Sequence, residues 1–99
     1  MKYEDIRRQV LTAIRQASAQ RLIHGTAGNI SVRDPEAGVA AITPSGRPYD
    51  TMEPGDIASV TLDGEWVDGP YAPSSETPMH TAVYRARPDQ GAVVHNHAL

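Results

Sequence analysis

Two histidines, His95 and His97, stand one residue apart in the apolar run Val93-Val94-His95-Asn96-His97. In an extended chain, residues two apart face the same side, so both rings would project together. Glu76 closes the triplet Ser74-Ser75-Glu76, 19 positions before His95. Two imidazoles and a carboxylate are ligand types that zinc accepts. Ser74 and Ser75 offer hydroxyls and backbone amides where a following helix would favour an anion. The chemistry this pattern could support is a metal site beside an anion site. Each half also has a plainer reading. A His-x-His pair can be ordinary polar packing, and Ser-Ser-Glu before a helix can be a simple cap.

The elements around these residues decide whether they can meet. Residues 77–87 read as a helix, with Ser75 or Thr77 as its cap, Pro78 in its first turn and Met79, Ala82, Val83 and Ala86 as its apolar stripe. Pro88-Asp89-Gln90-Gly91 stops it, and the chain from Ala92 reads as a strand. The helix covers roughly 15 Å, and a strand from Gly91 to His97 about 20 Å. A strand folding back beside the helix would return His95 and His97 to the level of Ser74, Ser75 and Glu76. His80, inside the helix, is read as structural, and His24, in a loop, as solvent-facing.

Upstream, Ile6, Val10, Ala13, Ile14 and Ala17 recur at spacings of three and four, which predicts an amphipathic helix over 3–22 with Arg7, Arg8 and Arg15 largely off its stripe. His24-Gly25-Thr26-Ala27-Gly28-Asn29 follows as a loop whose glycines let backbone amides approach a ligand closely. Strands are expected over 29–33 and 39–43, joined by a turn at Asp34-Pro35-Glu36-Ala37-Gly38. Pro44-Ser45-Gly46-Arg47-Pro48 is a second loop, and Met52 to Asp56 a further turn. Ile57 to Leu62 alternates as a half-buried strand, and Asp63-Gly64 signals a hairpin into Glu65-Trp66-Val67. The result is one α/β domain over residues 1–99, with helices flanking a mixed, mostly antiparallel sheet.

Composition narrows the function classes. A net charge of −3 provides no basic field for nucleic acid. No apolar run reaches the length of a membrane span. With no cysteine there are no disulfides and no thiolate zinc ligands. Met1-Lys2-Tyr3-Glu4-Asp5 lacks an apolar signal region, so the expected location is the cytoplasm.

Four segments, Gly25 to Arg33, Ile42 to Tyr49, Pro73 to Glu76 and Arg87 to His97, occur in the order found in the class II aldolase/adducin family. The chain resembles that family over nearly all its length, and most of all the branch acting on ketose 1-phosphates such as fuculose 1-phosphate. The resemblance implies that Gly28, Asn29, Ser45, Gly46, Ser74 and Ser75 hold the substrate phosphate. It implies that His95 and His97 are zinc ligands, and that Glu76 contacts the metal and serves as catalytic acid/base. Zinc, one ion per subunit, would stabilise an enediolate during cleavage to dihydroxyacetone phosphate and an aldehyde.

Family members are longer and form a three-layer α/β/α domain, with a third histidine ligand downstream that this chain lacks. The expectation is therefore a C-terminally truncated, incomplete class II aldolase-like domain, inactive alone, from a parent that forms a homotetramer. Related pentulose-phosphate 4-epimerases typically carry Asp at the position of Glu76 and His-Thr-His in place of His-Asn-His, so the pattern here favours an aldolase. Decarboxylase and dehydratase relatives remain alternatives, as does a non-catalytic adducin-like interaction module, against which the retained histidines and Glu76 speak.

Overall fold

Residues 1–21 and 28–95 are described in the computed structural model of this chain. The first element, α1 (Glu4–Ala19), buries Ile6, Val10, Leu11 and Ile14, and places Glu4 and Asp5 in its first turn, where acidic groups suit the helix dipole. It ends earlier than the apolar spacing suggests. Gln20 caps it through a backbone bond to Gln16, and Arg21 takes a left-handed φ of 60° that turns the chain away.

Five strands follow as one sheet: β1 (Asn29–Asp34), β2 (Val39–Ile42), β3 (Ala58–Thr61), β4 (Trp66–Asp68) and β5 (Ala92–His95), with α2 (Thr77–Ala86) between the last two. Their order is β4-β3-β2-β1-β5, and every pairing among the described residues is antiparallel. Strand alternation divides the core in two. Ile30, Val39 and Ala41 pack with α1, while Ala40, Ile42, Ala58 and Val60 pack with Tyr84 of α2. The sheet therefore lies between the two helices, in the expected α/β arrangement.

The face that α2 buries differs from the expected stripe. Thr77, His80, Thr81 and Tyr84 point inward, while Ala82 and Ala86 are exposed. The reason lies in the strand beneath. β1 turns Asn29, Ser31 and Arg33 toward this layer, so the helix answers with hydroxyls and an imidazole that satisfy them. Arg33 donates to the carbonyls of Tyr84 and Pro88 (3.0 Å each), supplying a cation at the C-terminal end of α2. On the other face, Arg7 is also inside, at 2% exposure. Its guanidinium donates to Ser59 Oγ and to Asp68 Oδ2, both at 3.0 Å, tying α1 to β3 and β4.

Gly69, directly after β4, has a φ of 121°, and a Cβ there would lie 3.2 Å from Ala58 Cα. Gly69→Ala is expected to cost about 1–3 kcal/mol from backbone strain and crowding together, read as a lowered urea unfolding midpoint. An unchanged midpoint would show that β4 shifts freely.

Candidate active site

The start of β1, the segment after β2 and the segment before α2 converge at one end of the sheet. The start of β1 is joined to the end of β2 through Thr43, whose amide donates to Ile30 O at 3.1 Å and whose Oγ1 accepts from Ile30 N at 3.3 Å. The segment before α2 joins the same point. Ser74 N donates to Thr43 O and Ser45 N to Ala72 O, each at 3.0 Å, and Pro44 bridges Pro73. In the β1–β5 register, Asn29 stands opposite His95. Gly28, Asn29, Ser45, Gly46, Ser74, Ser75, Glu76 and His95 thus share one end of the sheet, beside the N-terminus of α2. The strand folds back as the lengths predict, as far as His95. His97 and His24 lie outside the described residues.

The six expected phosphate residues divide by exposure. Ser45, Gly46 and Ser75 are exposed, Gly46 at a φ of 64° that favours glycine. Gly28, Asn29 and Ser74 are buried behind them. Tyr49 donates its hydroxyl to the Gly28 carbonyl, and burial pushes that phenol up from its ordinary value. The cap of α2 is Glu76, not Ser75 or Thr77. Ser74 Oγ accepts the Glu76 amide at 3.1 Å, and the Thr77 and Met79 amides donate to Ser74 O and Glu76 O at 3.0 Å. These first-turn amides are bonded internally, so an anion at this end would be met by the exposed loop residues and by the helix dipole. The Glu76 side chain makes no cap hydrogen bond, which leaves a half-buried carboxylate at the rim.

His80 occupies the centre of this end, at 1% exposure. Its Nε2 bonds to Asn29 Oδ1, and its Nδ1 lies 2.7 Å from Ser31 Oγ. Burial, and secondarily the neighbouring His95, lower its pKa from 6.5 to about 4, so the ring is neutral at neutral pH. Asn29 Nδ2 then reaches His95 Nδ1 at 3.4 Å. The sequence reading of His80 as structural missed this link to His95. The sequence shows only that His80 falls at a spacing of three from Thr77 and four from Tyr84, on one helix face, and not that this face is the buried one.

As a metal shell, the described part offers the His95 ring, held at Nδ1 by Asn29, and the uncapped Glu76 carboxylate. Both are zinc ligand types, and a zinc-bound histidine usually donates its other ring N–H to an acceptor, a part the Asn29 carboxamide can play only through its oxygen. Among the described residues no group of three or more His, Cys, Asp or Glu is placed to hold a metal ion. The donors fit zinc in kind, and His97 lies beyond the described strand.

The Class II Aldolase and Adducin N-terminal domain matches residues 8–99, and the chain belongs to that family. Its relatives include an L-ribulose-5-phosphate 4-epimerase of Salmonella paratyphi B, 40% identical over 95 residues that make up 96% of this chain and 42% of that protein. A 5-deoxy-D-ribulose 1-phosphate aldolase of Bacillus thuringiensis is 40% identical over 92 residues, 93% of this chain and 43% of its own. Among solved structures, an L-fuculose 1-phosphate aldolase superposes with a TM-score of 0.91 at 35% identity, covering 99% of this chain and 46% of that one. The L-fuculose-1-phosphate aldolase of Thermus thermophilus gives 0.72 at 36%, covering 89% and 44%. The chain spans less than half the length of each. No helix among the described residues is long and apolar enough to cross a membrane.

Proposed function

We propose that this chain is the N-terminal part of a zinc-dependent aldolase that cleaves a ketose 1-phosphate, such as fuculose 1-phosphate, to dihydroxyacetone phosphate and an aldehyde. The observation that carries this reading is the convergence of the Gly28, Ser45 and Ser74 loops with His95 at one end of the sheet. Ser45, Gly46 and Ser75, backed by Gly28, Asn29 and Ser74, hold the substrate phosphate and fix the distance from it to the reacting carbons. His95, His97 and Glu76 hold zinc, which when bound supplies Lewis-acid stabilisation of negative charge. Glu76, whose carboxylate is not used by its own helix, moves the proton during carbon–carbon cleavage. Zinc binding by these residues alone is expected to be weak, since Glu76 must also move a proton, which leaves two histidines as permanent ligands where a catalytic zinc normally takes three protein ligands besides substrate. A cytoplasmic homotetramer is part of the same proposal for the whole protein, supported by the family resemblance.

A second reading shares the site. The 4-epimerase relative is as similar as the aldolase relative, 40% in both cases. Epimerisation would use the same metal and phosphate anchors. The test is the full protein carrying these residues, purified with zinc and given ketose 1-phosphates and pentulose 5-phosphates. Release of dihydroxyacetone phosphate is expected. Pentulose 4-epimerisation without retro-aldol cleavage would replace the aldolase reading with the epimerase one.

A further inference from the structure

Five polar side chains from β1, α2 and β5 form one continuous line: Tyr84, Ser31, His80, Asn29 and His95. Ser31 Oγ lies 2.7 Å from both Tyr84 OH and His80 Nδ1. His80 Nε2 meets Asn29 Oδ1, and Asn29 Nδ2 meets His95 Nδ1 at 3.4 Å. Ser31, Asn29, His80 and Tyr84 are all buried. No buried side-chain nitrogen or oxygen among the described residues lacks a partner, so these groups satisfy one another.

The line has a direction. A carboxamide oxygen only accepts, so His80 Nε2 carries the proton. A neutral ring then accepts at Nδ1, which obliges Ser31 to donate to it and Tyr84 to donate to Ser31. At the other end, the Asn29 amide donates to His95 Nδ1. A neutral His95 in this arrangement carries its proton on Nε2.

That direction bears on metal uptake, and here the inference rests on the metal reading given above. With Nδ1 turned to Asn29, coordination by His95 falls to Nε2. A ring bound through Nε2 carries its proton on Nδ1 and needs an acceptor there. The Asn29 carboxamide can provide one by a half turn that presents Oδ1 to His95. Its NH2 group then faces His80 Nε2, which must accept, so His80 carries its proton on Nδ1 and donates to Ser31. Ser31 in turn donates to Tyr84, which turns the Tyr84 hydroxyl proton out of the line toward another acceptor. The number of protons held by the two rings is the same before and after this rearrangement.

The geometry points to Asn29 and His80 as positioning residues for His95: they set which of its ring nitrogens is protonated, and their hydrogen bonds reverse together when His95 takes up a metal. Asn29 then serves as more than a phosphate contact, and the buried polar layer under α2 is the support of the metal-binding ring.

The test is the protein labelled with 15N-histidine, its ring nitrogens read by long-range proton–nitrogen correlation at pH 7.5 and assigned through single His→Gln variants. Without metal, both His80 and His95 are expected as Nε2–H tautomers. A wild-type His80 protonated at Nδ1 would overturn the proposal with no variant needed. In Asn29→Asp the carboxylate accepts from both rings, so His95 is expected to switch to Nδ1–H while His80 stays as it was; an unchanged His95 counts against the proposal. With excess zinc, His95 Nε2 is expected to take a metal-bound shift and His80 to switch to Nδ1–H. A metal-bound His95 beside an unswitched His80 would overturn the coupling. Unshifted His95 in zinc, with the metal-free pattern and the Asn29→Asp switch intact, would remove the metal reading and leave Asn29 and His80 as the groups that set the His95 tautomer.

Discussion

Lowering the pH from 7 to 4 is expected to cost this fold on the order of 3 kcal/mol through His80 alone. The ring is 1% exposed, and its pKa falls from 6.5 to about 4, first through burial and then through His95. The sign follows from proton counting. Between 6.5 and about 4 the unfolded chain has a protonated histidine while the folded one does not. The unfolded state binds more protons, so stability falls as pH falls through that window and levels below about 4. Each pH unit across it is worth about 1.4 kcal/mol. The groups facing the ring are Asn29 and Ser31 from β1, Tyr84 from α2 and His95 from β5. Urea unfolding at pH 7 and pH 4.5, on wild type and His80→Gln, measures the effect. The variant is expected to show a distinctly shallower dependence. Equal slopes would mean that His80 takes its proton without opening the polar layer.

In the full protein, Glu76→Gln is expected to lower kcat for retro-aldol cleavage by roughly 10²–10⁴-fold, the usual scale for losing a positioned acid or base. The amide keeps the shape and loses the titrating proton. Folding should be little affected, because the Glu76 side chain takes no part in capping α2 and its backbone bonds to Met79 and His80 are untouched. Unfolding midpoints and steady-state kinetics therefore separate the two effects. A kcat within a few-fold of wild type would remove Glu76 from the chemistry, whereas a large drop in stability would show a structural role that the geometry does not indicate.

Much of the fold was legible because its local signals agreed. Ile6, Val10 and Ile14 kept helical spacing, and all three are buried. Asp63-Gly64 marked the hairpin between β3 and β4, and Pro88 to Gly91 separated α2 from β5. The convergence of Ser45 and Ser74 was legible only from the ordered motifs, since the joining bonds run to the backbone carbonyls of Thr43 and Ala72, which any residue type could supply. Burial of Arg7 and His80 was hidden for a shared reason. A polar side chain goes inside only when another element supplies its partner. Those partners, Asp68 for Arg7 and Asn29 for His80, lie 61 and 51 residues away. The apolar stripe expected on α2 failed for the same reason, because the strand facing it is polar. His97, Gly25 and the rest of 22–27 lie outside the described residues.

The placement of β5 has a consequence for folding order. Strands β1 to β4 pair with their sequence neighbours, across loops of four residues at β1–β2 and β3–β4 and a longer connection at β2–β3. The Asn29–His95 contact instead spans 66 residues and waits for the meander and α2 to be in place. Among the described residues β5 lies at the edge of the sheet, with Val94 62% exposed and Val93 packed against the α2 side of the core. Among the described strands, His95 is thus carried by the one whose pairing forms latest. Any opening of the β1–β5 pairing would separate His95 from Asn29.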